Sequence, residues 1–135
     1  MRLQPAAPRD PGVTQLYEAA LLASGLKVTQ LPILVGLGHV GDLSVTTLAD
    51  TLALDRTTLT RNLKVLEARG LVRTSESEDD ARVRMVSLTL EGADVLSSAL
   101  RRWEEIQRVV EKRFGRERLA ALYSELEALG DAVAA

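Results

Sequence analysis

Two extended runs, residues 71–75 and 83–88, interrupt a chain whose apolar spacing is otherwise helical. The simplest use of two such runs joined by a loop is a β-hairpin. Around it the spacing predicts six helices in the order α-α-α-α-β-β-α-α, a mainly α fold with one small hairpin. Val13, Leu16, Tyr17, Ala20 and Leu21 place the first helix over 13–24, with Gly25 as its stop. The second is expected over 30–38, with Thr29 as its cap and Pro32 in the first turn, where a missing N–H does little harm. Ser44 precedes a short third helix carrying Val45, Leu48, Ala49 and Leu52. Asp55 caps a fourth, with Leu59, Leu63 and Leu66 facing inward and a stop at Gly70. Thr89 caps a helix of about six turns to Phe114, with Leu96, Leu100, Trp103, Ile106 and Val110 as its stripe. After Gly115 a last helix carries Leu119, Leu122, Leu126, Leu129 and Val133 at a spacing close to a coiled-coil seam.

The length of 135 residues fits one domain. A net charge of −2 does not by itself point to nucleic acid, so any such case rests on local clustering. The absence of cysteine excludes disulfides, thiol redox sensing and thiolate metal sites. No stretch is apolar for long enough to span a membrane, and MRLQPAAPRDPG lacks the core of a secretory signal. A cytoplasmic protein is the expectation, with residues 1–12 as a flexible arm. Residues 13–43 then hold the N-terminal helices, 44–90 a compact helix-and-hairpin lobe with its own small core, and 91–135 the C-terminal helices. The apolar stripes of the terminal helices are longer than one chain can cover, which predicts a homodimer interlocked across a two-fold axis.

ILVGLGHVG contains Gly36, Gly38 and Gly41, a formal G-x-G-x-x-G. In a dinucleotide site such glycines bring a tight turn onto pyrophosphate at a helix N-terminus. Here no βαβ unit surrounds them, and Asp50 and Asp55 come sooner than the roughly 20 residues such a site requires. The stretch reads as a helix end and turn. Catalysis has no support either. Ser97-Ser98 and Glu104-Glu105 each split between helix faces, and one histidine without cysteine builds no nucleophile–base–orienter set. No cofactor is implied.

Residues 56–73 hold five cations (Arg56, Arg61, Lys64, Arg69, Arg73) and one acid, Glu67, a local net of +4. With Leu59, Leu63 and Leu66 turned inward, Thr57, Thr60, Arg61 and Lys64 share the outer face. A helix entering the major groove needs this mixture of short hydroxyls and long cations. Arg56 lies in the first turn, where backbone N–H groups already favour a phosphate.

The stretch from Leu43 to Gly92 resembles the winged helix-turn-helix of the MarR family of transcriptional regulators. The resemblance rests on Leu48-Ala49, on Asp55-Arg56-Thr57-Thr58 with Thr60-Arg61, and on Leu66-Glu67 followed by Gly70-Leu71-Val72. The D-x-R of the wing stands as Asp80 and Arg82, followed by Leu88-Thr89 and Gly92, and the resemblance extends outward to Gly25-Leu26 and Gln30. It implies a homodimer on pseudo-palindromic operator DNA, usually a repressor, with terminal helices forming the dimer. Carried over, it assigns major-groove contacts to Arg56, Thr57, Thr58, Thr60, Arg61 and Lys64 and a minor-groove contact to Arg82. A contact from Arg84, where the family is usually apolar, is inferred from its charge alone. Ala53 stands where the family often has a turn glycine, a strain of about 1 kcal/mol if its φ is positive. Many members release DNA when an aromatic acid or similar molecule enters a cleft between the dimer helices and the DNA-binding lobe. Tyr17, His39 and Trp103 are the candidates for such a cleft, against the plainer reading that each is packing. His39 is the only histidine, so a metal site is not expected. Alternatives are a winged-helix module for protein contact and, more remotely, the dinucleotide-binding enzyme.

In SESEDDARVRM, four acids precede two arginines. Asp80 is placed to hold the fork of Arg82 extended, so that less entropy is lost on entering a groove. Glu76, Glu78 and Asp79 keep the wing soluble or weaken non-specific phosphate binding.

Overall fold

The computed structural model describes residues 11–134, so the arm expected over 1–12 lies outside the described residues except for Pro11 and Gly12, which open the first helix. Helix α1 spans Pro11–Leu21 and tightens into a 3-10 turn, Leu22–Ser24. Gly25, at φ +71°, ends it by donating its N–H to the Leu22 carbonyl at 3.0 Å. Helix α2 spans Leu31–Val40 with Pro32 in its first turn. Its N-cap is Gln30 and not the expected Thr29, and no side chain caps its first turn. Buried Gln30 instead reaches back with Oε1 to accept the Lys27 N–H at 3.1 Å, bracing the turn that precedes the helix.

Leu31, Ile33, Leu34 and Leu37 are buried, because α2 lies between α5 (Leu90–Phe114), α3 (Val45–Leu52) and the sheet. Gly36 and Gly38 lie inside this helix, and only Gly41, at φ +100°, marks its end. The glycine run is thus a helix end and turn, as expected, with the helix reaching two residues past the expected Gly38. A Cβ on Gly38 would come within 2.8 Å of Leu96 Cδ2, so the bare backbone admits α5 at close range. That approach joins α2 and α5 into a single apolar core with the 44–90 lobe, where a separate small core was expected.

Ser44 caps α3, accepting the Thr47 N–H at 3.0 Å, and Asp55 caps α4 (Arg56–Ala68). Between these helices Ala53 takes φ +53°, the left-handed region, which costs a residue with a Cβ about 1 kcal/mol. The hairpin is β2 (Val72–Glu76) with β3 (Arg84–Leu88), antiparallel from Val72 opposite Leu88 to Glu76 opposite Arg84. A third strand, β1 (Leu43–Ser44), pairs with the other edge of β3, giving the order β1-β3-β2. Two residues are too few for a period-2 pattern to be visible.

Helix α5 runs 25 residues and turns at Gly115 into α6 (Arg116–Ala134), with the Arg118 guanidinium 4.3 Å from the Phe114 ring centre. On α6 Leu119 is buried, whereas Leu122, Leu126, Leu129 and Val133 are 45, 43, 61 and 77% exposed. No helix among the described residues is long and apolar enough to cross a membrane.

Hydrogen bonds fasten the lobe to the start of α5 at the Gly70–Leu71 turn. The Leu71 carbonyl accepts the Thr89 N–H at 3.1 Å. The Thr89 hydroxyl donates to the Gly70 carbonyl at 2.6 Å and accepts the Gly92 N–H at 3.0 Å. A Cβ on Gly92 would collide with the Leu71 carbonyl oxygen. Gly92→Ala is therefore expected to destabilise the protein by about 3 kcal/mol, read by chemical denaturation against the exposed-face control Gly130→Ala. Equal midpoints for the two variants would show that the junction is loose.

Candidate nucleic-acid interface

Helix α4 owes its start to Asp55, which accepts the Thr58 N–H at 2.7 Å and the Thr58 hydroxyl at 3.0 Å. These two bonds, the backbone one foremost, hold the Asp55 carboxyl below its usual value. Leu59, Leu63 and Leu66 are buried, so the helix can present only its other side. On that side Arg56, Thr57, Thr60, Arg61 and Lys64 are exposed and together line an open concavity of about 420 Å³. Arg56 lies in the first turn, where unpaired backbone N–H groups add positive potential.

Thr58 departs from its expected contact role. It is half-buried, and its hydroxyl is committed to Asp55. Arg69 departs too. Its guanidinium donates to the carbonyls of Ser24 at 2.7 Å and Gly25 at 3.0 Å, away from the concavity. Glu67, the one acid of this segment, accepts the N–H and hydroxyl of Thr74 on β2 at 3.3 and 2.9 Å. With both engaged elsewhere, the outer face keeps three cations and no acid of its own helix.

In the wing, Arg82 is 91% exposed at its side chain, yet held. Asp80 accepts its Nε–H at 3.1 Å, its Nη2–H at 3.2 Å and its backbone N–H at 3.0 Å. This bidentate fork ties the exposed guanidinium to Asp80 and fixes its position at the wing tip. The side-chain bonds from Arg82, then the backbone bond, keep the Asp80 carboxyl below its usual value. Arg84 does not project like Arg82: its Nη2 donates to the Thr74 hydroxyl at 3.0 Å. Glu67, Thr74 and Arg84 thus form a relay from α4 across both wing strands. Sequence reading missed it because its members are spaced 7 and 10 residues apart on different elements, a spacing without a period.

The three residues named for an effector cleft do not converge. Tyr17 and Trp103 are buried against each other, ring centres 4.4 Å apart and planes 33° from parallel, whereas His39 is exposed at the end of α2. Burial, and secondarily the charge of Tyr123, push the Tyr17 hydroxyl above its usual value. The Trp103 Nε1–H is buried without a hydrogen-bond partner among the described residues. No three His, Asp or Glu side chains among those residues gather to hold a metal ion.

A capped helix pair, a tight turn and a three-stranded wing define a winged helix-turn-helix protein. A family model described as the MarR family matches residues 24–83, the helix-turn-helix and most of the wing. The chain is 29% identical over 102 residues to an uncharacterised helix-turn-helix transcriptional regulator, YdgJ, of Bacillus subtilis, covering 76% of this chain. It spans 57% of that relative's length. Among solved structures, a Mycobacterium tuberculosis transcriptional regulator, MosR, in complex with DNA is 34% identical, with 87% of this chain and 90% of that one covered and a TM-score of 0.68. A probable transcriptional regulator from Pseudomonas aeruginosa is 30% identical, with 85% and 89% covered and a TM-score of 0.75. The chain belongs to the MarR family, a family of transcription regulators and not of enzymes.

The cap has a pH signature. Asp55 has a folded pKa below its unfolded one, so its contribution is full above the unfolded value of about 4 and is lost as pH falls through the folded value. Asp55→Ala is expected to lower the melting temperature at pH 7, whereas Asp55→Asn, a comparable cap, lowers it less. The gap between wild type and Asp55→Ala closes as pH drops below about 4. A gap that stays constant down to pH 2 would assign the loss to something other than the ionised cap.

Proposed function

We propose that this protein is a homodimeric, sequence-specific DNA-binding transcriptional regulator of the cytoplasm. The carrying observation is the exposed cationic face of α4, with Arg56, Thr57, Thr60, Arg61 and Lys64, together with an exposed wing arginine held in place by Asp80. In this reading α4 enters a major groove. Arg61 and the threonines address base edges and phosphates, Lys64 the backbone, and Arg82 the flanking minor groove. Repression of a pseudo-palindromic operator, relieved by a small aromatic or phenolic effector, is the mode the family suggests. The DNA complex of MosR supports the choice of partner. A protein-contact module is the weaker alternative, because it has no use for a cationic face cleared of acids.

The dimer half of the proposal rests on α6. Leu122, Leu126, Leu129 and Val133 form an exposed apolar stripe on the terminal helix, and a second copy crossing a two-fold axis covers it.

The tests use the operator-bearing DNA selected by the protein from its host genome. Arg61→Ala and Arg82→Ala are each expected to weaken binding about tenfold or more by fluorescence anisotropy, and their combination to flatten the salt dependence. Unchanged affinity and slope in the double variant would overturn the assignment. Asp80→Ala is expected to weaken operator binding although it removes a negative charge, because Arg82 loses its brace. Tighter binding would disprove the brace. Light scattering at micromolar concentration is expected to give twice the chain mass, and Leu126→Glu to shift it toward the monomer. A wild-type monomer would end the dimer reading.

A further inference from the structure

Arg69 is a cation of the 56–73 segment that the nucleic-acid reading does not absorb and that the structure engages elsewhere. It is C-terminal to the last turn of α4, on a helix that packs against α3 and β2. Its two hydrogen bonds go to Ser24 and Gly25, 45 and 44 residues earlier, where the α1 segment ends against α5. Three features show that this contact is built and not incidental. First, Ser24 and Gly25 carry the carbonyls left unpaired where a helix stops, the acceptors that a cation satisfies best. Second, both bonds are made at once, from Nη2 at 2.7 Å and Nη1 at 3.0 Å, a geometry a planar fork supplies and a lysine does not. Third, Gly25 leaves the space for it. A Cβ there would lie 3.2 Å from Arg69 Nη2, and the position already requires φ +71°.

We propose that Arg69 is a positioning residue for DNA recognition. Its guanidinium locks the end of the recognition helix to the α1–α2 corner and thereby sets the angle between the DNA-reading lobe and the helices α1 and α5. The proposal rests on the reading of the chain as a dimeric DNA-binding regulator. The terminal helices fix where the partner lies, so this angle determines the separation of the two recognition helices. Arg69 touches no DNA in this scheme. It contributes to which half-site spacing is accepted, not to how many phosphates are neutralised. The lock lies at the surface, outside the buried Leu59, Leu63 and Leu66 that anchor α4 in the core.

The chain has no cysteine, so cysteines introduced at exposed Glu18 on α1 and Asp50 on α3 take nitroxide labels at those two positions alone. Labelled chains diluted into excess unlabelled protein report the distance between lobes within one chain. Wild type is expected to give a narrow distance distribution by double electron–electron resonance. Arg69→Ala is expected to broaden it, and Arg69→Lys, which keeps the charge but loses the fork, to restore it only in part. On DNA, Arg69→Ala is expected to reduce about fivefold the preference for the natural half-site spacing over operators lengthened or shortened by one base pair, with the salt slope unchanged. A distance distribution in Arg69→Ala identical to wild type overturns the proposal. A salt slope lowered by about one overturns it as well, because Arg69 is then a phosphate contact. If wild type binds no DNA, the functional reading fails, and the distance measurement still decides whether Arg69 holds the lobes together. Should Arg69→Ala not fold, Arg69→Lys and Gly25→Ala carry the same comparison.

Discussion

One backbone oxygen, the carbonyl of Leu71, sets the relation between the winged lobe and the long helix. It accepts the Thr89 N–H and occupies the space that a side chain at position 92 would need. Gly70, at φ +74°, turns the chain so that α4 stops and β2 starts beside that oxygen. Thr89 then serves two purposes with one hydroxyl, donating to Gly70 and accepting from Gly92. The N-terminus of α5 is thus capped by the same residue that closes the sheet. Burial of Leu96, Ala99 and Trp103 follows from that starting point, and so does the position of α1, which packs along α5.

Most of the architecture was legible because its signals are local. Ser44, Asp55 and Thr89 cap as their residue types require, and the inward leucines of α4 fall at helical spacing. The acid–arginine brace was legible for the same reason, since Asp80 and Arg82 are two residues apart. What stayed hidden depends on distance along the chain. Strand β1 exists only because β3 offers an edge, and the Gly36–Gly38 pair gains its meaning from Leu48 and Leu96. Arg69 entered a sum of charge over sequence and Arg84 was assigned a contact from its charge, yet the partners of both lie on other elements. A charge count has no direction, whereas a hydrogen bond does.

Helix α4 is consequently simpler on its outer face than its composition suggests. Arg69 leaves toward the α1 corner and Glu67 toward Thr74, so the two charges nearest the end of the helix are spent on orientation. The face left behind is uniformly cationic or hydroxylic. Ala53, in a left-handed turn that glycine would occupy without strain, shows that the adjoining turn keeps its shape against a local cost of about 1 kcal/mol. The packing of α3 against α4 on either side of it supplies the compensation.

The braced wing has a kinetic corollary. Asp80 sits within 3.2 Å of the Arg82 fork, and Glu76, Glu78 and Asp79 lie nearby in sequence, so from afar the wing tip exerts little attraction on a polyanion. In the proposed complex, capture from solution therefore falls to α4, whose three outer cations outnumber the one acid beside them, the cap Asp55. The arginine of the wing gains its hold only at contact distance, once a groove edge faces it. Its influence then lies in how long the protein dwells on a site, not in how often it arrives.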